Sequence, residues 1–344
     1  MKTDLFDYEL PGELIAQQPA RERDSSRLMC VDRGTGSITH HTFKELASLL
    51  RRGDCLVVNN SRVFPGRIKA VKEPTGGAVE LLLLENTGEG RWRALTKGAT
   101  LRPGLSLSFQ SSRITAEVLD GPAEGKVEVR FILDGQTAPD WEVFALGGVP
   151  LPPYITEEIP DAERYQTVYS DREISAAAPT AGLHFTERLL TKLSEAHIEV
   201  ATLELAVGMD TFVPIREDNV EDHRIHSEWF SLDERCALAV GEARSRGGRV
   251  VAVGTTAVRA LESAATPDGV VEARTGYTGL FITPGYEFLA VDALITNFHF
   301  PRSTLLMLVC AFGGRELILE AYQTAIRERY RFYSFGDAML ITLW

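Results

Sequence analysis

The chain has 344 residues, of which 44% are apolar and 24% charged, with a formal net charge of −12. That length suits two domains, and the composition is that of a folded protein and excludes wholesale disorder. The acidity argues against coating nucleic acid by bulk charge, but it is uneven: residues 1–62 hold 9 bases and 9 acids, residues 63–150 hold 10 and 11, and residues 151–344 hold 17 and 28.

In chain order, Cys55–Asn59 (CLVVN) reads as a buried strand. Between 63 and 150, short strands are predicted at Arg67–Lys72, Ala78–Leu84, Arg91–Leu95, Leu105–Phe109, Ile114–Leu119 and Lys126–Ile132, separated by glycine turns. Six such strands suggest a small antiparallel barrel or sandwich. From about 175 the rhythm alternates between helix and strand. Thr186–His197 is a helix with Thr186 as N-cap, and Ser231-x-x-Glu234 has capping-box spacing ahead of a helix stopped by Gly247-Gly248. Arg249–Val253 is a strand, Thr255–Ala265 a helix and Asp292–Asn297 a strand; helices follow at Ser303–Phe312 and Arg315–Arg329. The expected fold is a larger α/β domain with a mostly parallel sheet, residues 1–62 and 151–344, into which a smaller antiparallel β-barrel domain, 63–150, is inserted.

The four cysteines, at 30, 55, 236 and 310, form no Cys-x-x-Cys pair, and the longest apolar run, Leu305–Phe312, is far short of the ~20 residues that span a bilayer. With no signal-type N-terminus, a cytoplasmic protein with reduced thiols and no membrane partner is expected.

Several loops carry groups suited to chemistry. Val250–Thr256 runs strand, glycine, two hydroxyls and helix start, where free N–H groups suit an anion; Arg259 follows one turn later. A tight turn is the plainer reading. No G-x-G-x-x-G occurs, which weakens a dinucleotide or ordinary methyltransferase fold. The loop Ala178–Phe185 offers Thr180 and a titratable His184, set against a helix-entry loop with a hydrogen-bonded histidine. Asp210 and the pair His223 and His226 sit in polar clusters; a third ligand at usable spacing is missing, so no metal is expected. Asn297 and His299 follow a strand and would face a crevice at its carboxyl end. Window 51–69 holds five bases, Arg62 and Arg67 among them, against Asp54 alone; it is a solvated face or a phosphate contact.

The strings DYELPGELIAQQP (7–19), VVNNSRVFPGR (57–67), AAPTAGLHFT (177–186), HRIHSEW (223–229), VAVGTTAVRALES (251–263), LITNFHFPRSTLLMLVCAFGG (294–314) and RYRFYSFGDAMLI (329–341) occur in order along the chain. Together with RLMCVDR, LPPYI and RYQTVY they resemble the S-adenosylmethionine:tRNA ribosyltransferase-isomerases of queuosine biosynthesis, from residue 4 to about 341. The resemblance implies an α/β domain with a small β-barrel. It also implies transfer and isomerisation of the ribosyl group of S-adenosylmethionine onto 7-aminomethyl-7-deazaguanine at the tRNA wobble position, giving epoxyqueuosine with release of adenine and methionine. S-adenosylmethionine is then a cosubstrate, tRNA the partner, no cofactor is needed and a monomer is expected.

Two departures matter. Leu205-Ala206-Val207-Gly208 stands where the family often has Leu-His-Val-Gly, and Asn59-Asn60-Ser61-Arg62 where it often has Asn-Asp-Thr-Arg. On this resemblance, His184 or Asp210 is assigned as base, with His226 and His299 as alternative proton carriers. Thr180, Thr255, Thr256 and Arg259 would bind the cosubstrate, Asn297 would orient a base, and Arg62 and Arg67 would meet RNA. The competing readings are an S-adenosylmethionine-dependent RNA methyltransferase and a non-catalytic RNA-binding protein.

Overall fold

The computed structural model describes residues 1–97, 101–123, 125–209 and 214–343. The chain divides into two compact units, one of 1–62, 153–172 and 178–344, the other of 63–152 and 173–177.

The larger unit is built on a nine-stranded sheet. Its centre is parallel: Glu199–Leu205, Cys55–Asn59, Val250–Val253 and Ala293–Asn297 lie side by side in that order. Cys55–Asn59, Val250–Val253 and Ala293–Asn297 are buried throughout, as expected of strands that open on apolar runs. Beyond this centre the sheet is mixed. Ala338–Thr342 runs antiparallel to Ala293–Asn297 but parallel to Arg27–Asp32, and Ile38–Thr42 returns on the latter as a hairpin. At the other edge Glu228–Leu232 and Arg274–Thr278 are antiparallel. Four of eight pairings are therefore parallel, three in the centre and one between the two ends of the chain, where long connections supply the crossovers that parallel pairing needs.

Helices Glu187–Glu195, Glu234–Ser245, Thr255–Ala264, Thr304–Gly313 and Arg315–Arg327 belong to the same unit. Thr186 caps the first through Leu189 N–H, as expected. The capping box at Ser231 does not form. Ser231 lies in a strand, bonded to Thr275, and Asp233 caps the helix through Cys236 N–H. The short acid beside the first helical residue satisfies the orphan N–H directly.

The smaller unit is a closed antiparallel barrel. Arg67–Glu73, Ala78–Gly88, Arg91–Lys97, Lys126–Leu133, Ile114–Ala123 and Ser106–Ser108 pair in a ring, the last returning to the first. Val127, Val129 and Phe131 point inward while Glu128 and Arg130 alternate outward. Closure removes the free edges that short strands would otherwise expose.

Candidate active site

The carboxyl ends of the central parallel strands lead into Ala206-Val207-Gly208, Gly254-Thr255-Thr256 and Phe298-His299-Phe300. These segments, with Pro179-Thr180 and Tyr333, wall a half-open cleft. Open α/β sheets bind ligands at this end because loops diverge there and helix N-termini face outward. Gly254 permits the turn: its φ is +87°, a conformation that favours glycine. It occupies the cap position itself, so neither threonine is spent on capping. Thr255 and Thr256 are buried at the helix start, and Thr256 Oγ1 has no hydrogen-bond partner among the described residues. An unpaired buried hydroxyl beside a cleft is a group awaiting a polar ligand.

Asn297 is the hub of the cleft floor. Its Oδ1 accepts from Thr180 Oγ1 at 3.0 Å, while its Nδ2 donates to Tyr333 O at 3.2 Å and lies 3.3 Å from His184 Nε2. The Tyr333 carbonyl can only accept, which fixes the amide orientation. His184 Nε2 therefore accepts, its proton sits on Nδ1, and Ser26 Oγ receives that proton's hydrogen bond at 2.7 Å. The imidazole is buried and stacked on Phe43 at 4.9 Å. It does not line the cleft; it stands behind Asn297. Burial, aided by the charges of Arg331 and Arg23, pushes His184 down to about 3.

His299 does line the cleft, with Nε2 2.7 Å from Thr296 Oγ1; burial pushes it down to about 3 as well. One wall is aromatic. Phe300 and Tyr333 stack with centroids 3.8 Å apart, and Tyr154 meets both edge-on at 5.0 Å. Tyr333 holds φ +71°, an uncommon backbone for a bulky residue, at the point where its carbonyl receives Asn297.

A second, small cavity shares Thr255, Thr256 and Leu305 with the cleft and is also lined by His226, Glu228 and Arg259. Glu228 and Arg259 form a buried ion pair. Arg259 also donates to Leu280 O and Thr278 O, both at 3.1 Å. Burial alone would raise the Glu228 carboxyl; the His226 contact, the Arg259 charge and the Gly208 N–H outweigh it and hold it below the usual range. His226 Nε2 lies 3.1 Å from Glu228 Oε1. Arg259 is thus committed to a carboxylate and two carbonyls, because a guanidinium inside a buried helix needs its own partners. Glu228 had no role assigned from the sequence; one acid in HRIHSEW gives no sign that it is buried.

The remaining expected residues are dispersed. Asp210 lies outside the described residues. His223 bonds Glu217 at 3.2 Å, and among the described residues no three His, Cys, Asp or Glu side chains are grouped to hold a metal ion. Arg62, in the larger unit, pairs with Glu163 and donates to Ser170 at 3.1 Å. Arg67, in the barrel, pairs with Glu80 at 3.0 Å and donates to Leu151 O. Asn59 stitches two central strands, donating to Leu205 O at 2.9 Å and accepting from Leu205 N–H and Ser61 N–H. The four cysteines are buried and unbridged, and no helix of the described residues is long and apolar enough to cross a membrane.

The two imidazoles set a pH dependence. Unfolded, each titrates near 6.5; folded, near 3. The unfolded chain therefore binds more protons between these values, and stability, complete above pH 6.5, falls as pH drops by about 1.4 kcal/mol per unit per imidazole. Urea unfolding at pH 7, 6 and 5 should show that fall before the carboxylates titrate; a flat profile would contradict it.

The chain was compared with known proteins. A family model described as "Queuosine biosynthesis protein" matches residues 3–341. A relative from Acetivibrio thermocellus named S-adenosylmethionine:tRNA ribosyltransferase-isomerase is 48% identical over 342 residues, 99% of this chain and 100% of that one. One of the same name from Natranaerobius thermophilus is 49% identical over 343 residues, 99% of both. The crystal structure of S-adenosylmethionine tRNA ribosyltransferase from Thermotoga maritima is 38% identical, with a TM-score of 0.56 over 98% of this chain and 99% of that one. With a family model spanning nearly its whole length and full-length relatives near half identity, the chain belongs to the queuosine biosynthesis protein family.

Proposed function

We propose that this chain is an S-adenosylmethionine:tRNA ribosyltransferase-isomerase acting on tRNA that carries 7-aminomethyl-7-deazaguanine at the wobble position, in the cytoplasm, as a monomer and with no further cofactor. The observation that carries the reading is the cleft at the carboxyl end of the parallel strands, with an unpaired threonine hydroxyl on one side and three packed aromatic rings on the other. Aromatic faces attract a sulfonium cation or stack on a base, while hydroxyls and helix-start N–H groups suit a carboxylate.

In the reaction, the sulfonium acidifies the adjacent C5′ protons and a base removes one. Adenine is expelled and takes up a proton; the RNA's amine attacks the unsaturated sugar; methionine leaves as the epoxide closes. A proton carrier must reach the cleft. His299 lines it, so we assign the proton to His299, with Asp210 kept as the alternative on the sequence alone. We assign His184 to positioning, since both its ring nitrogens are engaged behind Asn297. Thr180, Thr255 and Thr256 hold the cosubstrate, and Arg259 holds Glu228 in place rather than a ligand.

Mass spectrometry after incubation with S-adenosylmethionine and the aminomethyl-deazaguanine RNA tests the reading. Adenine and methionine in equal amounts are expected. S-adenosylhomocysteine with a methylated RNA would instead identify a methyltransferase, and no small-molecule product a binding protein.

A further inference from the structure

Behind the cleft lies a small, half-open cavity lined by Arg23, Arg164 and Arg331 together with His184 and Ser334. Ser334 also lines the cleft, and His184 is bonded to the cleft's Asn297, so a single layer of side chains separates the two. Two of these three guanidiniums, those of Arg164 and Arg331, come from the last 194 residues, which carry 17 bases against 28 acids.

They are held almost entirely by backbone carbonyls. Arg23 donates to Leu183 O at 3.2 Å and to Glu163 O at 2.8 Å; Arg164 donates to Ala20 O at 2.6 Å and to Arg21 O at 3.3 Å; Arg331 reaches Gln18 O at 3.4 Å. Carbonyls fix a guanidinium without neutralising it. Among the described residues, the one carboxylate within ion-pair distance of the three is Asp337, 3.8 Å from Arg331. Asp337 already accepts from the N–H groups of Arg27 and Arg331. Asp161 and Glu163 act on Arg23 only at longer range, and the Glu163 carboxylate is paired with Arg62. Arg164 Nε is buried with no partner among the described residues. Burial, and then the charge of Arg164, lower the pKa of Arg23, and the more distant Asp161 and Glu163 carboxylates offset this only in part.

We propose that this arginine cavity is an anion site that receives a phosphodiester group of the RNA substrate next to the reacting nucleotide. It rests on the reading of the cleft given above. Pre-positioned guanidiniums with donors to spare suit phosphate oxygens. A local cluster of this kind is what lets an acidic protein grip RNA at one point instead of by bulk charge. The competing source of the same anionic oxygens is the carboxylate of S-adenosylmethionine.

Arg331→Gln is the least disruptive probe, because its carbonyl contact is the longest of the set. Affinity for a fluorescent anticodon-arm RNA should fall about tenfold, and the slope of log affinity against log salt should shrink by about one contact. The Kd of S-adenosylmethionine, measured without RNA, should not change. Arg164→Gln should behave alike, and Arg164→Lys should recover part of the affinity, with melting temperatures confirming that each variant folds. Loss of S-adenosylmethionine affinity with RNA binding unchanged would give the cavity to the cosubstrate and overturn the proposal. Folded variants that bind both ligands normally would overturn it as well. Adenine release by the wild-type chain is scored separately, so failure of the reaction is not confused with failure of the site.

Discussion

Glu228→Ala should destabilise the chain by about 3–5 kcal/mol, because it strands a buried guanidinium. Glu228 and Arg259 are 4% and 5% exposed, so neither can turn to water for help. Without the carboxylate, Arg259 keeps only the carbonyls of Leu280 and Thr278 among the described residues, Gly208 N–H loses its acceptor, and His226 loses its neighbouring charge. The damage would spread to the cleft, since the cavity around this pair shares Thr255 and Thr256 with it. Thermal and urea unfolding measure the effect. The double variant Glu228→Leu, Arg259→Met should be more stable than Glu228→Ala, as it buries no unpaired charge. A loss under about 1 kcal/mol for Glu228→Ala would mean that the pair is solvated in solution and that Arg259 is free to meet a ligand.

Asn297→Asp should lower kcat/KM for adenine release about 100-fold, the scale set by misplacing a group at the reacting centre. The change is nearly isosteric, so packing is kept and the hydrogen bonds are altered. A carboxylate still accepts from Thr180. It cannot donate to Tyr333 O, and it places negative charge beside the lone pair of His184 Nε2. The system's escape is to take up a proton on His184, so the imidazole should titrate well above about 3. Histidine NMR titration reads that shift independently of turnover. His184→Asn, which removes the imidazole while keeping polar atoms, should cost less activity than Asn297→Asp. Activity within about threefold of wild type for Asn297→Asp would remove Asn297 from the cleft's machinery.

Much of this architecture is legible in the amino-acid order, and what is not has a physical reason. Apolar runs such as Val250–Val253 and residues 293–295 announce buried strands, and the alternation of Val127, Val129 and Phe131 announces a barrel wall. The strands at one end of the sheet are harder. Arg274–Thr278 (RTGYT) is polar and largely exposed, and Glu228–Leu232 contains the serine that looks like a capping residue. They are strands because neighbouring backbone pairs with them, which local propensity does not report.

The site divides in the same way. Loops at strand ends were readable as ligand-facing, and Thr180, Thr255, Thr256, Asn297 and His299 do share one cleft. Side-chain partners were not readable. Ser26 and Phe43 enclose His184 from more than 140 residues away, and Glu228 reaches the helical Arg259 from the start of a strand. Arg259 stands one turn into its helix, which suggests a ligand contact until its surroundings are known to be buried. Long-range packing decides whether a charged side chain greets a ligand or a neighbour.

The most direct test of the account is a crystal structure of the chain with a non-reactive S-adenosylmethionine analogue. The account predicts the analogue in the cleft, its sulfonium position against Phe300 and Tyr333 and a polar group within hydrogen-bond reach of Thr256 Oγ1. An analogue bound only elsewhere, with Thr256 Oγ1 still unpartnered, would contradict it.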